Sequence, residues 1–393
     1  MKNPFAAGAT ATSRIVLLVL VILVACGVGV GAAELADQLR GESRDASAVG
    51  PAGDVDSAGA WIYDPDRPLG WDQLAATASA PDPRSDHSLV YASVTGRVIL
   101  FGGRGADGAL GDTWAYDVVT RDWTELPASS SGMSPEPRGT HSLTFVPLTN
   151  EVVLFGGSGD EGVLGDTWTY DLLRNAWMAA APGEPLPAVI SEPVARQCHA
   201  AAFDPVAGRV ILFGGLADAD EVLGDTWSYD PIRRLWTELH AGGDGPAPRH
   251  GHSMVFDPTS GRVIMVGGTN GEGTVLDETW AYDSGNDCWT QLQPLSPMPG
   301  RSASAAACAS TTGTLTLFGG HDPQNNASAD TWTYDFDGSW VRVYAGDVTP
   351  SARASSSMVY CELTDTHLLF GGRDEAGNPL SDTWIYWSPA KWW

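Results

Sequence analysis

The chain has 393 residues and a net charge of −26, with 48 acidic side chains against 22 basic ones, of which only Lys2 and Lys391 are lysines. A surface this acidic is repelled by phosphate backbones and anionic headgroups, which excludes nucleic acid as an expected partner. The length accommodates one large all-β domain.

Lys2 and Arg14 precede an apolar run from Ile15 to Ala25, which continues more weakly to Ala33. Residues 1–33 are therefore expected to be an export segment, in one of three forms. Ile15 to Ala33 just reaches spanning length, which gives a signal anchor with its positive end in the cytoplasm. Leu23-Val24-Ala25-Cys26 resembles a bacterial lipobox, in which Cys26 becomes the lipidated N-terminus. Gly31-Ala32-Ala33 offers small residues for ordinary cleavage. All three export the remainder, so the protein is expected at the outer face of the cell membrane, anchored by a transmembrane segment or by Cys26, with secretion as the alternative. Residues 34–59 are rich in Gly, Ala, Ser, Asp and Glu with few large apolar side chains, and this composition predicts a flexible tether.

From residue 60 the chain becomes repetitive. Ala60-Trp61-Ile62-Tyr63-Asp64 and Trp71-Asp72-Gln73-Leu74 read as the third and fourth strands of a unit whose first two are missing. Six fuller units follow at steps of 52 to 58 residues. Each has Arg-x-x-His/Ser, an apolar run closing in Gly-Gly, Asp-Thr-Trp-x-Tyr-Asp, and a lone Trp. In the first unit, Arg84 opens strand one through Tyr91, Val98–Phe101 is strand two, Thr113–Asp117 strand three, and Trp123 begins strand four. The alternating Thr-Trp-Ala-Tyr suits a strand with one buried face, and Val-Ile-Leu-Phe a strand buried on both. Four short strands per fifty-residue repeat predict a β-propeller. The sixth unit ends at Trp393 before strand four extends, so the Trp71 segment is expected to complete it. That gives six blades; the alternative, seven, needs two strands that are absent.

The register assigns most conspicuous residues to structure. The glycine pairs at 102, 156, 214, 267, 319 and 371 imply positive φ or close approach of the next blade. Asp112, Asp166, Asp225, Asp330 and Asp382, with Glu278 in the same slot, are expected to bond backbone amides at the turn into strand three. Of 16 tryptophans, six fill the Asp-Thr-Trp slot and six, from Trp123 to Trp393, begin strand four. His87, His141, His199 and His252 all follow the repeat Arg by three. They read as strand residues rather than a metal ring, because Ser304 and Ser356 hold the same slot. Cys308 and Cys361 hold nearly matching sites in adjacent blades, so a bridge is conceivable, and buried free thiols are equally compatible. Cys198 falls near the other end of its strand.

These motifs resemble the kelch repeat family, over roughly residues 60–393. The resemblance implies a kelch-type propeller of the galactose oxidase/kelch superfamily, a frame that serves copper oxidases, sugar epimerases and many protein-binding modules. The copper ligand motifs are not recognisable, no hydrolase or phosphate-loop pattern occurs, and no cofactor or metal is expected. The reading is an extracytoplasmic, membrane-tethered binding or scaffold module for a protein or glycan partner. The alternative is a carbohydrate-active enzyme, oxidase or epimerase-like, acting at the central mouth.

In such blades the stretch before strand one and the loop after Gly-Gly emerge on one face. Kelch adaptors that bind acidic peptides use arginines resembling Arg84, Arg138, Arg196, Arg249, Arg301 and Arg353. These six could bind an anion at the mouth or could equally bond neighbouring carbonyls and turn acids. Arg104, His321 and Arg373, which follow Gly-Gly where the repeats stop agreeing, complete the candidate ligand site. The six loops after Gly-Gly carry acids such as Asp107, Asp160, Asp220 and Asp374, and loops are where specificity varies.

Overall fold

The computed structural model describes residues 70–76, 79–127, 129, 132–181, 191–239, 245–335, 338–344 and 348–387. The expected export segment with Cys26, the tether, the strand at 60–64 and Trp393 lie outside the described residues. The chain divides into units 1–65 and 66–393, and the described residues all fall in the second.

Six four-stranded antiparallel sheets make six blades. In blade one, Ser88–Ala92 is innermost, followed outward by Arg97–Gly105, Gly108–Asp117 and Asp122–Glu125. Strand one of every blade descends from one face, here called the mouth face, and the turns joining strands one to two and three to four lie on the opposite face. The last blade borrows its outer strand. Gly70–Gln73 pairs with Thr383–Trp387, Gly70 opposite Trp387 and Gln73 opposite Trp384. Trp71 thereby fills the sixth strand-four position.

The hydrophobic core lies between blades. Phe101 and Ile99 of blade one pack with Leu143, Leu154 and Trp177 of blade two, and equivalent clusters close the other interfaces. Burying a side chain such as Phe101, which is fully enclosed, stabilises by about 1.5–3 kcal/mol. Each strand-four Trp donates its indole N–H to the Thr hydroxyl of the preceding blade's Asp-Thr-Trp. Trp177 reaches Thr113 at 3.0 Å and Trp236 reaches Thr167 at 2.9 Å. Trp123 reaches Thr383 at 3.0 Å across the closing seam.

The diglycine needs both properties the sequence implies. Gly102 has φ +64°, and a Cβ there would stand 2.5 Å from the Arg138 carbonyl oxygen of the next blade. The loops after it depart from expectation. In blades one to three they are not open loops: strands two and three run on past a bulge at the diglycine into a hairpin arm, as Gly103 pairs with Leu110 and Gly157 with Leu164.

Candidate functional site

The six repeat arginines lie inside the blades. Arg84 has no exposed side-chain surface. Its Nη1 donates to Asp112 Oδ1 at 2.6 Å and to the Gly102 carbonyl at 3.0 Å, and its Nη2 to Asp112 Oδ2 at 2.7 Å. Nε donates to the Asp82 carbonyl at 3.0 Å. Arg138 with Asp166, Arg196 with Asp225 and Arg353 with Asp382 repeat this two-pronged geometry. Arg249 donates to Glu278. Arg301 makes a weaker version, 3.1 Å to Asp330, because Arg342 also donates to that carboxylate. Of the two readings open for these arginines, this is the structural one: a guanidinium whose donors are spent on its own blade does not present them to a ligand.

The acids before Thr-Trp therefore do more than bond turn amides: Asp112, Asp166, Asp225 and Asp382 each accept from their own backbone N–H, and in addition hold the guanidinium and an indole. Burial pushes the carboxyl of Asp112 up, but hydrogen bonds from Arg84 and the Trp114 indole outweigh it and hold the group below the usual carboxylate range. At the turn between strands three and four, the last residue of Trp-x-Tyr-Asp caps the backbone amides. Asp117 Oδ1 accepts from the backbone N–H of Val119 and Thr120.

His87, His141, His199 and His252 are wedged between blades. His87 meets Phe370 edge-on with centroids 5.4 Å apart, and His141 meets Phe101 at 5.5 Å. Burial, then the neighbouring Arg84, lowers His87 to about 3, and burial followed by Arg138 does the same to His141. They are neutral packing groups at physiological pH. Among the described residues, no three His, Cys, Asp or Glu side chains are grouped to hold a metal.

The mouth itself is built two residues after each repeat Arg. Asp86, Thr140, Cys198, Gly251, Ala303 and Ser355 all have positive φ, between 52° and 63°. Each donates its backbone N–H to the carbonyl of the one in the preceding blade: Thr140 to Asp86, Cys198 to Thr140, and so round to Asp86, which donates to Ser355. Six hydrogen bonds thus close a belt around the axis. Six different side chains sit on a repeated backbone. Cys198 belongs to this belt, far from Cys308 and Cys361, and burial pushes its thiol up to about 12.

Above the belt stand the residues that follow Gly-Gly, and here Arg104, Arg373 and His321 come together. Arg373 Nη2 donates to Asp86 Oδ2 at 2.7 Å and to Ser85 Oγ at 2.8 Å, while its side chain remains 42% exposed. Arg104 lies on the other side of Asp86, both packing over Gly139, and donates to Ser158 Oγ at 2.8 Å. His321 is half-buried, and its burial together with the Arg373 charge holds it below the ordinary imidazole value. The remaining positions of this tier, Ser158, Leu216 and Thr269, are uncharged. The permanent cations of this tier are thus confined to blades six and one, with the imidazole of His321 beside them in blade five.

A family model described as the KLHDC2/KLHL20/DRC7 Kelch-repeats domain matches residues 51–189, 184–343 and 259–393. The chain belongs to the kelch-repeat family. Its kelch repeats are 27% identical over 296 residues to the F-box/kelch-repeat protein At1g51550 of Arabidopsis thaliana, covering 70% of this chain and 58% of that one. They are 32% identical over 207 residues to the serine/threonine-protein phosphatase BSL2 of the same plant, covering 51% and 19%. Multiple epidermal growth factor-like domains protein 8 of Mus musculus is 28% identical over 192 residues, covering 46% and 7%. The chain spans between 7% and 58% of the length of these curated relatives. Kelch propellers are typically protein-binding modules, and in this one the polar mouth holds Arg373 on the Asp86 carboxylate and Arg104 on Ser158 of the next blade.

Proposed function

We propose that this kelch propeller is a tethered, extracytoplasmic binding module that holds an acidic segment of a partner protein at its mouth. One observation carries the reading. Where the repeats diverge, Arg104 and Arg373 flank Asp86 in neighbouring blades, and the Arg373 side chain stays 42% exposed above the belt. A partner carboxylate would compete with Asp86 for Arg373 and add the Arg104 fork, a pairing that favours planar, two-oxygen ligands. A preformed site of this kind loses little entropy on binding. A protein is favoured over a glycan, because tryptophans that could stack on a sugar are committed to blade packing, such as Trp114 to Asp112 and Trp177 to Thr113.

The test is fluorescence polarisation of the full chain against a library of labelled peptides with carboxylate or amide ends and varied acidic content. Acidic peptides should bind, and Arg104→Ala/Arg373→Ala should weaken them at least tenfold while Arg209→Ala does not. Equal affinity in the double variant, or no preference for acidic peptides, overturns the reading. Export and tethering rest on residues 1–33; mass analysis of the mature N-terminus distinguishes an intact segment, an acylated Cys26 and a cleaved chain.

A further inference from the structure

The face opposite the mouth has its own pattern, unrelated to ligand capture. The turn joining strands one and two projects an apolar side chain beside the axis in four consecutive blades: Leu363, Val94, Leu148 and Val206, each 55–69% exposed. Leu363 packs over the neighbouring turn at Gly96 and Leu148 over that at Gly208, so the four form an arc rather than isolated tips. The outer turns of blades two and three add Leu173 and Ile232, 78% and 75% exposed. Blades four and five break the arc with Thr259 and Thr311 at the equivalent tips. Contiguous exposed apolar groups on a polar protein mark an interaction surface.

Two further facts identify the occupant. Arg97, Arg174, Arg209, Arg233, Arg234 and Arg262 all lie on this face, at the starts of second strands and in the outer turns. Four of these are paired with carboxylates of the same face, Arg97 with Asp117, Arg174 with Asp171, Arg234 with Glu151 and Arg262 with Asp283, so Arg209 and Arg233 are the cations this face presents. Moreover Gly70, opposite Trp387, places the N-terminal end of the closing strand on this same face. We infer that this face docks on a phospholipid bilayer surface, the apolar tips entering the headgroup region and Arg209 and Arg233 meeting lipid phosphates, so that the mouth points away from the membrane. The inference rests on the reading of residues 15–33 as an anchor. Apolar tips combined with arginines are the chemistry of interfacial, non-spanning contact.

The experiment uses the full chain reconstituted in phosphatidylcholine vesicles containing a nitroxide-headgroup lipid. A fluorescent amino acid replaces Ser93, beside Val94, or Glu161, on the mouth face. Flotation reports the anchor, and quenching reports the docking. Quenching at position 93 at least twofold stronger than at 161, lost in Val94→Ser/Leu148→Ser/Val206→Ser, supports the inference. A chain that floats with equal quenching at both positions overturns docking and leaves the anchor standing. Quenching at 93 that the triple variant retains also overturns it. A chain that does not float overturns both. Emission at position 93 that shifts with protein concentration in detergent, without lipid quenching, assigns the face to a second copy instead and overturns the lipid assignment.

Discussion

The indole nitrogen of Trp71 donates to the hydroxyl of Thr331 at 2.9 Å, joining residues 260 apart in sequence and locking the borrowed outer strand of blade six onto blade five. Trp71 also meets Phe318 edge-on at 4.9 Å and is almost fully buried. Trp71→Ala should therefore cost about 3–5 kcal/mol of unfolding free energy, as large buried truncations do. Trp71→Phe, which keeps most of the packing and drops the hydrogen bond, should cost about 1 kcal/mol from that bond. Denaturant titration with tryptophan-independent circular dichroism checks both. Near-equal stability of the Ala variant and wild type would mean that the seam is not closed by this strand.

The arginine latches make a graded prediction. Removing Arg138 leaves Asp166 without its two-pronged partner and the Gly156 carbonyl without a donor. Breaking such a pair costs about 3–5 kcal/mol when buried, and less here because Asp166 is 42% exposed. Arg301→Ala should cost less still. Its contact to Asp330 is a single 3.1 Å bond, Arg342 remains on that carboxylate, and its Nε has no partner among the described residues. Thermal melts of Arg138→Ala and Arg301→Ala side by side decide it; equal losses would contradict the graded geometry.

How much of this was readable beforehand follows from the kind of atom involved. Side-chain signatures repeated in register, such as Gly-Gly and the lone Trp, carried the propeller, the blade number and the role of Trp71. That Arg84 pairs with a turn acid was one of two readings the repeat left open, and the sequence alone did not choose between them. Arg84 lies 28 residues from Asp112, and only the pairing of strands two and three brings that acid back to the blade's mouth end. The axial belt was invisible for a different reason: backbone atoms make it, and Asp86, Thr140, Cys198, Gly251, Ala303 and Ser355 share no side-chain chemistry. Arg104, His321 and Arg373 were visible as departures from the repeat, but their convergence on Asp86 depends on the order of blades around the ring.

The buried histidines set the onset of acid destabilisation. His87, His141, His252 and His367 are each lowered to about 3, burial being the largest cause in every case. An unfolded histidine binds its proton near pH 6.5, so below that pH the unfolded state holds protons that the folded state refuses. Stability is therefore full above about pH 6.5 and falls as pH drops towards 3, by at most about 1.4 kcal/mol per pH unit for each group. Asp112 and Asp166, held below the usual carboxylate range, act in a lower window. Their contribution is present above the unfolded carboxylate value and is lost as pH falls through the depressed folded one. Melting temperature should thus decline from about pH 6.5 rather than from pH 4. His141→Ser, which copies the Ser304 and Ser356 of blades five and six, should flatten the decline between pH 6 and 4. An unchanged slope would count against the neutral, buried assignment.

The cysteines test the blade register chemically. Cys308 and Cys361 end the innermost strands of adjacent blades, yet both are free thiols, and the bridge that the spacing allowed is not made. They face opposite ways. Cys361 is buried with Leu89 and Val98 of blade one, whereas the charge felt by Cys308 is that of Asp257 in blade four. Burial raises both thiols far above the ordinary range, and thiolate is the reactive form. In native protein at pH 8, Cys198, Cys308 and Cys361 should alkylate at least tenfold more slowly with iodoacetamide than a peptide cysteine. All three should react within minutes in guanidinium without prior reduction. Peptide mapping by mass spectrometry reads both states, and a Cys308–Cys361 cross-linked peptide would show that the two strands turn their ends towards each other.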